Sequence, residues 1–145
     1  MKYYTALYLE HFPNVYIPKE ATPINFAPHV TISVFDSEEE LKNIELFVDI
    51  DIYVDLSVYA LHGRNTQQIM LVCPVLVDPN FESLLNILPK DIRSKMFYHV
   101  TLGKLQMTDF NKENYKDYDL IIKSDSLIKV KSKKVIIEPF KPVLY

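Results

Sequence analysis

The word His-Val-Thr occurs twice in this chain, at His29-Val30-Thr31 and at His99-Val100-Thr101, and each copy is followed by an apolar residue, Ile32 or Leu102. Such alternation suits a β-strand. Successive strand side chains point to opposite faces, so His29 and Thr31 share one face and Val30 and Ile32 the other; the same holds for His99 and Thr101 against Val100 and Leu102. Each copy offers one imidazole and one hydroxyl side by side on a rigid support.

The rest of the chain reads as strands interleaved with helices. Tyr3 to Glu10 alternates as a strand, with Tyr3, Leu7 and Leu9 on one face and Tyr4, Ala6, Tyr8 and Glu10 on the other. Prolines 13, 18, 23 and 28 hold the next stretch open, and Pro28 leads into the first motif strand. Ser37, with Glu40 as its capping-box partner, predicts a helix running to about Phe47. A long strand follows, with Ile50, Ile52, Val54, Leu56 and Val58 facing the core and Asp51, Tyr53, Asp55, Ser57 and Tyr59 facing away. His62-Gly63-Arg64-Asn65 marks a turn, and Gln67 to Val77 reads as the returning strand. Asp78-Pro79-Asn80 opens a second helix through about Leu88. A polar helix around Asp109 to Tyr118 and strands near Leu120 to Lys123, Ser126 to Val130 and Val135 to Glu138 complete the chain.

This order predicts an α+β protein with a rough internal duplication, one domain over residues 1–145 whose halves span about 1–65 and 66–145. Helices would cover the faces carrying Val30, Ile32, Val100 and Leu102. The opposite faces, with His29, Thr31, Ser33, His99 and Thr101, would line a groove between the halves.

Composition narrows the function. At 145 residues with 48% apolar and 24% charged residues, the chain can bury a sizeable core. No apolar run reaches the roughly 18 to 20 residues that span a bilayer, and Met1-Lys2-Tyr3-Tyr4 lacks an apolar signal segment, so a soluble, cytoplasmic protein without a membrane partner is expected. Cys73 is the only cysteine, which excludes an intrachain disulfide and a thiolate zinc cage; its apolar surroundings, Ile69 to Val72, predict a buried, inert thiol. A net charge of −3 has the wrong sign for gripping a long nucleic acid, whereas a small phosphorylated ligand needs only a few local donors. Lys129, Lys131, Lys133 and Lys134 read as a solvated strand face. The only glycines are Gly63 and Gly103, so no glycine-rich phosphate loop exists.

Two imidazoles and two hydroxyls on one groove suit phosphodiester cleavage. In-line displacement needs a base to take the proton of the attacking oxygen and an acid to protonate the leaving oxygen, on opposite sides of phosphorus. Histidine titrates near neutrality, so one ring can be neutral while the other is protonated. Thr31 and Thr101 can hydrogen-bond the non-bridging oxygens, where charge builds up. The scheme requires no metal and no cofactor, and neither motif brings a second imidazole or carboxylate at ligand spacing. Tyr8 and Tyr4 are placed by alternation where a ring could stack a nucleobase, and Phe97 shares the face of His99 while Tyr98 points to the core. His11 and His62 read as surface or local structural residues. Lys104 and Arg64 could approach a phosphate without their spacing requiring it, and Glu138 ends an apolar strand.

The twin H-x-T pattern with a following apolar residue resembles the 2H phosphoesterase superfamily, and both copies match at every motif position. The superfamily includes RNA 2',3'-cyclic phosphodiesterases of the LigT type, 2',5'-phosphodiesterases that degrade 2'-5' oligoadenylate, and small phage enzymes that destroy the cyclic-nucleotide signals of bacterial CBASS immunity. The resemblance implies a bilobed α+β fold, two antiparallel-rich sheets lining a central cleft with helices outside, and His29, Thr31, His99 and Thr101 as a catalytic tetrad. The chain departs from larger members, which carry a helix between the first strand and the first motif where this one has Pro13 to Pro28. The expected function is a metal-independent phosphodiesterase acting on a cyclic oligonucleotide or a 2'-5' or 3'-5' oligonucleotide. The alternatives are an RNA-end 2',3'-cyclic phosphodiesterase and a nucleotide-binding protein that sequesters its ligand uncleaved. Oligomeric state is left open.

Overall fold

Antiparallel pairing organises almost all of the computed structural model, which describes residues 2–62, 68–93, 97–106 and 118–140. The described elements run β1 (Lys2–Tyr8), β2 (Thr22–Pro23), β3 (His29–Asp36), β4 (Ile44–Asp55), β5 (Val58–His62), β6 (Gln68–Leu76), α1 (Pro79–Ile87), β7 (His99–Gln106), β8 (Tyr118–Ile122) and β9 (Leu127–Pro139). They form one nine-stranded sheet in the order β2-β7-β3-β1-β9-β4-β6-β5-β8, and a further β6–β7 pairing brings the strands from β7 through β6 into a ring. The protein is sheet-rich, with a single helix among the described residues. No described helix is long and apolar enough to cross a membrane.

Both motif strands put their valines inside. Val30 and Val100 are fully buried in one cluster with Leu7, Val54, Leu71 and Val135, and Ile32 and Leu102 pack there too. The helix expected after Asp78 forms: Asp78 Oδ1 accepts from the Phe81 N–H at 2.9 Å, and Pro79 occupies the first turn, where its missing N–H costs nothing. This helix inserts Phe81 and Leu84 into the core, and full burial of a ring such as Phe81 contributes roughly 2 to 3 kcal/mol.

Four sequence expectations are corrected. No helix runs from Ser37 to Phe47; β4 already starts at Ile44, and Ser37 Oγ accepts from the Glu39 N–H at 3.2 Å in a local turn. Ile44 and Leu46 alternate as strand residues, the register shifts between Phe47 and Ile50, and ten residue pairs with β9 outweigh the capping box. The expected strand through Tyr59 breaks at Leu56–Ser57, where Asp55 Oδ1 accepts from the Ser57 N–H at 2.8 Å; Ser57 turns inward and exchanges hydrogen bonds with the Ser124 backbone. The two terminal strands are one, β9, and its Ser132 is buried and donates to the Tyr8 carbonyl. The expected helix near Asp109 lies outside the described residues apart from Tyr118, which starts β8.

The fourth correction concerns Ser33 and rests on two β-bulges. Ala6 pairs with Thr31 but Thr5 with Ser33, so Ile32 is an extra residue in β3. Val72 pairs with Thr101 but Leu71 with Gly103, so Leu102 is an extra residue in β7. A bulge flips the alternation beyond it. Ser33 therefore leaves the motif face and is buried against Thr5, with 2.6 Å between the hydroxyl oxygens. In β7 the same flip puts Leu105 into the core and Lys104 on the motif face.

Candidate active site

The two motif strands pair antiparallel at Val30↔Val100. One residue further on either side, this register sets His29 across from Thr101 and Thr31 across from His99. Because both valines are fully buried, the four polar side chains share the opposite face, and each is half-buried. His29 and His99 then form a diagonal pair with Cβ atoms on the order of 7 Å apart, a gap that can admit a phosphate.

Both rings are held in the same way. His29 Nδ1 donates to the Ala27 carbonyl at 2.9 Å, and His99 Nδ1 donates to the Phe97 carbonyl at 3.2 Å, each two residues back along the chain. A carbonyl can only accept, so the proton sits on Nδ1 and Nε2 carries the lone pair of the neutral ring. Either histidine can exchange a proton through Nε2 without losing its anchor.

Aromatic rings surround this pair. Tyr8, directly across from His29 in the β1–β3 ladder, lies with its ring centroid 5.3 Å from the imidazole, and Phe26 flanks it at 5.2 Å. Burial pushes the His29 pKa below its ordinary 6.5, against the smaller raising effect of the bond to Ala27. Phe97 meets the His99 ring at 5.6 Å and is itself met edge-on by Tyr59 at 6.2 Å. Lys134, paired with Tyr8 through the β1–β9 ladder, places its ammonium 5.7 Å above the Tyr8 ring and 3.3 Å from Glu45 Oε1.

The expected site residues divide accordingly. His29, Thr31, His99 and Thr101 come together, with Tyr8 and Phe97 beside them. Tyr4 does not join them. It lies four residues up β1 from Tyr8, about 13 Å at strand rise, and packs edge-on against Phe140 at 6.2 Å. Tyr98 points to the core and meets Phe81 at 5.3 Å, as alternation predicts. Lys129, Lys131 and Lys133 are exposed as a solvated face, but Lys134 is half-buried on the motif side. Glu138 pairs with Tyr4, away from the histidines. His11 occupies a left-handed turn with φ 55° after β1. Arg64 and the His62 side chain lie outside the described residues.

Sequence reading missed Phe26, Tyr59 and Lys134, because their places depend on the path of a loop and on registers between strands distant in sequence. The Cys73 thiol is buried and pushed up to about 12, first by desolvation and then by Asp55, which makes it inert. Among the described residues no group of three or more His, Cys, Asp or Glu side chains could hold a metal ion. No family model, curated protein or solved structure matches the chain.

Proposed function

We propose that the protein is a metal-independent phosphodiesterase that cleaves a small nucleotide by two-histidine acid and base catalysis. The observation that carries this reading is the repeated clamp, in which two motif histidines, on strands whose valines are both buried, each donate Nδ1–H to the carbonyl two residues back and so keep Nε2 for proton exchange. Two matching bulges directly after the motifs support a pseudo-twofold, bilobed arrangement with the cleft along that face.

His29 is the base in this scheme, since the low basicity of its ring keeps it neutral at pH 7. Its Nε2 takes the proton of the attacking hydroxyl as that oxygen bonds to phosphorus. The opposite P–O bond breaks, and His99, entering with a proton on Nε2, gives it to the leaving oxygen. Thr31 and Thr101 donate to the non-bridging oxygens. A neighbouring 2'-OH yields a 2',3'-cyclic phosphate; water opens a phosphate that is already cyclic. Lys104 and Lys134 add local positive charge to an otherwise acidic protein. The 2H resemblance favours cyclic oligonucleotide messengers and 2'-5' or 3'-5' oligonucleotides as substrates, and a role for the protein as a phage or viral antagonist of nucleotide-based immunity.

The test is incubation with cyclic dinucleotides, cyclic trinucleotides, 2'-5' oligoadenylate and 2',3'-cyclic nucleotides, with and without EDTA, and mass spectrometry of the products. Cleavage that survives chelation and drops at least a hundredfold in His29→Ala and in His99→Ala is expected. Ligand bound but recovered intact assigns a sequestering protein instead, and loss of cleavage with EDTA rules out the metal-free mechanism. Turnover of 2',3'-cyclic nucleotides alone assigns the RNA-end activity.

A further inference from the structure

Each catalytic histidine has its own pair of rings. Tyr8 and Phe26 lie 5.3 and 5.2 Å from His29, whereas Phe97 lies 5.6 Å from His99 with Tyr59 a further 6.2 Å on. The pairs come from unrelated parts of the chain: β1 and the loop before β3 on one side, β5 and the segment before β7 on the other. Tyr59 reaches the motif face through two ladders, pairing with Val72, which pairs with Thr101. Its neighbours Val58 and Ala60 take the core side, so its ring is not needed to fill the interior. All four rings are half-buried, which leaves part of each accessible to a ligand.

We infer that the site takes an internucleotide linkage with one nucleobase on each side of the scissile phosphate, the first seated on Tyr8 and Phe26 and the second on Phe97 and Tyr59. This inference rests on the phosphodiesterase reading and deepens it. A base has an aromatic face whatever its identity, so ring stacking recognises bases in general without selecting among them. The two sides of the phosphate correspond to the two sides of an in-line displacement, so a ring pair beside the base and another beside the acid hold the attacking and leaving nucleosides respectively. A mononucleoside 2',3'-cyclic phosphate fills only one of the two pairs.

The experiment compares kcat/KM for the dinucleoside monophosphate ApA, in its 3'-5' and 2'-5' forms, with that for adenosine 3'-(methyl phosphate), which keeps the phosphodiester but lacks the second base. The wild-type protein is expected to prefer one form of ApA by about tenfold to a hundredfold, the range of one lost stacking contact. Tyr59→Leu, on the side of the acid His99 and so of the leaving nucleoside, collapses that ratio towards one, and Phe26→Leu, on the side of the base, lowers turnover of both probes together; thermal melts check that each variant is folded. A wild-type ratio near one overturns the inference and leaves the phosphodiesterase reading standing. So does a loss of equal size on both probes in both variants, which would make the rings mere supports for the histidines. Turnover of none of these probes also overturns the inference, whereas the phosphodiesterase reading falls only when the cyclic dinucleotides, cyclic trinucleotides, 2'-5' oligoadenylate and 2',3'-cyclic nucleotides are left intact as well.

Discussion

A histidine becomes useful when its tautomer is held, and here a backbone carbonyl holds it at both positions. The two rings differ in surroundings, because His29 lies between Tyr8 and Phe26 and is desolvated. Its native pKa lies below 6.5 while that of the unfolded chain stays near 6.5. Below about pH 6.5 the unfolded state therefore binds a proton that the native state refuses, and stability falls with pH until the native value is reached. Between about pH 7.5 and about pH 5 the urea midpoint of the wild type should fall more steeply than that of His29→Asn. Equal slopes would mean that His29 is not depressed. With His29 as the base of the proposed scheme, the acid-side limb of the rate profile should likewise sit below 6.5, the ordinary value.

Bulges and turns shape the elements that carry these residues. Gly103, directly after the bulge in β7, has no room for a side chain: a Cβ there would meet Thr22 O at 2.8 Å and Ile17 Cδ1 at 2.9 Å. Gly103→Ala should push β2 off β7 and cost about 1 to 3 kcal/mol, read as a lower denaturant midpoint. Ser57 ends β4 by a different device, its hydroxyl accepting from the Ser124 N–H at 2.9 Å and donating to the Ser124 carbonyl at 3.0 Å. Ser57→Ala leaves both backbone groups without that partner, and a loss of about 1 to 3 kcal/mol is expected in chemical denaturation. A midpoint unchanged from wild type would show that water replaces the hydroxyl.

At the scale of the whole molecule, the ring of strands passes through the motif strands where Val30 pairs with Val100. Cys73 pairs with Val100 from the neighbouring strand β6 and is completely buried. Its thiol should resist alkylation at neutral pH in the native protein and react promptly in urea, so labelling should track global unfolding as followed by circular dichroism. Rapid labelling of native protein would place Cys73 in a region that opens locally.

Local alternation determined both motif strands, the buried valines, the returning strand β6, and the helix capped by Asp78, because strand period and capping chemistry act between near neighbours. It also placed His29, Thr31, His99, Thr101, Tyr8 and Phe97 correctly by face. Tertiary structure decided the rest. Ten pairs with β9 turned the stretch after Ser37 into strand, and bulges at Ile32 and Leu102 sent Ser33 inward and Lys104 outward. Phe26, Tyr59 and Lys134 reach the histidines only through a loop and through ladders between distant segments. A strand's faces follow from its own residues, but its register and its neighbours depend on what the whole sheet can bury and pair.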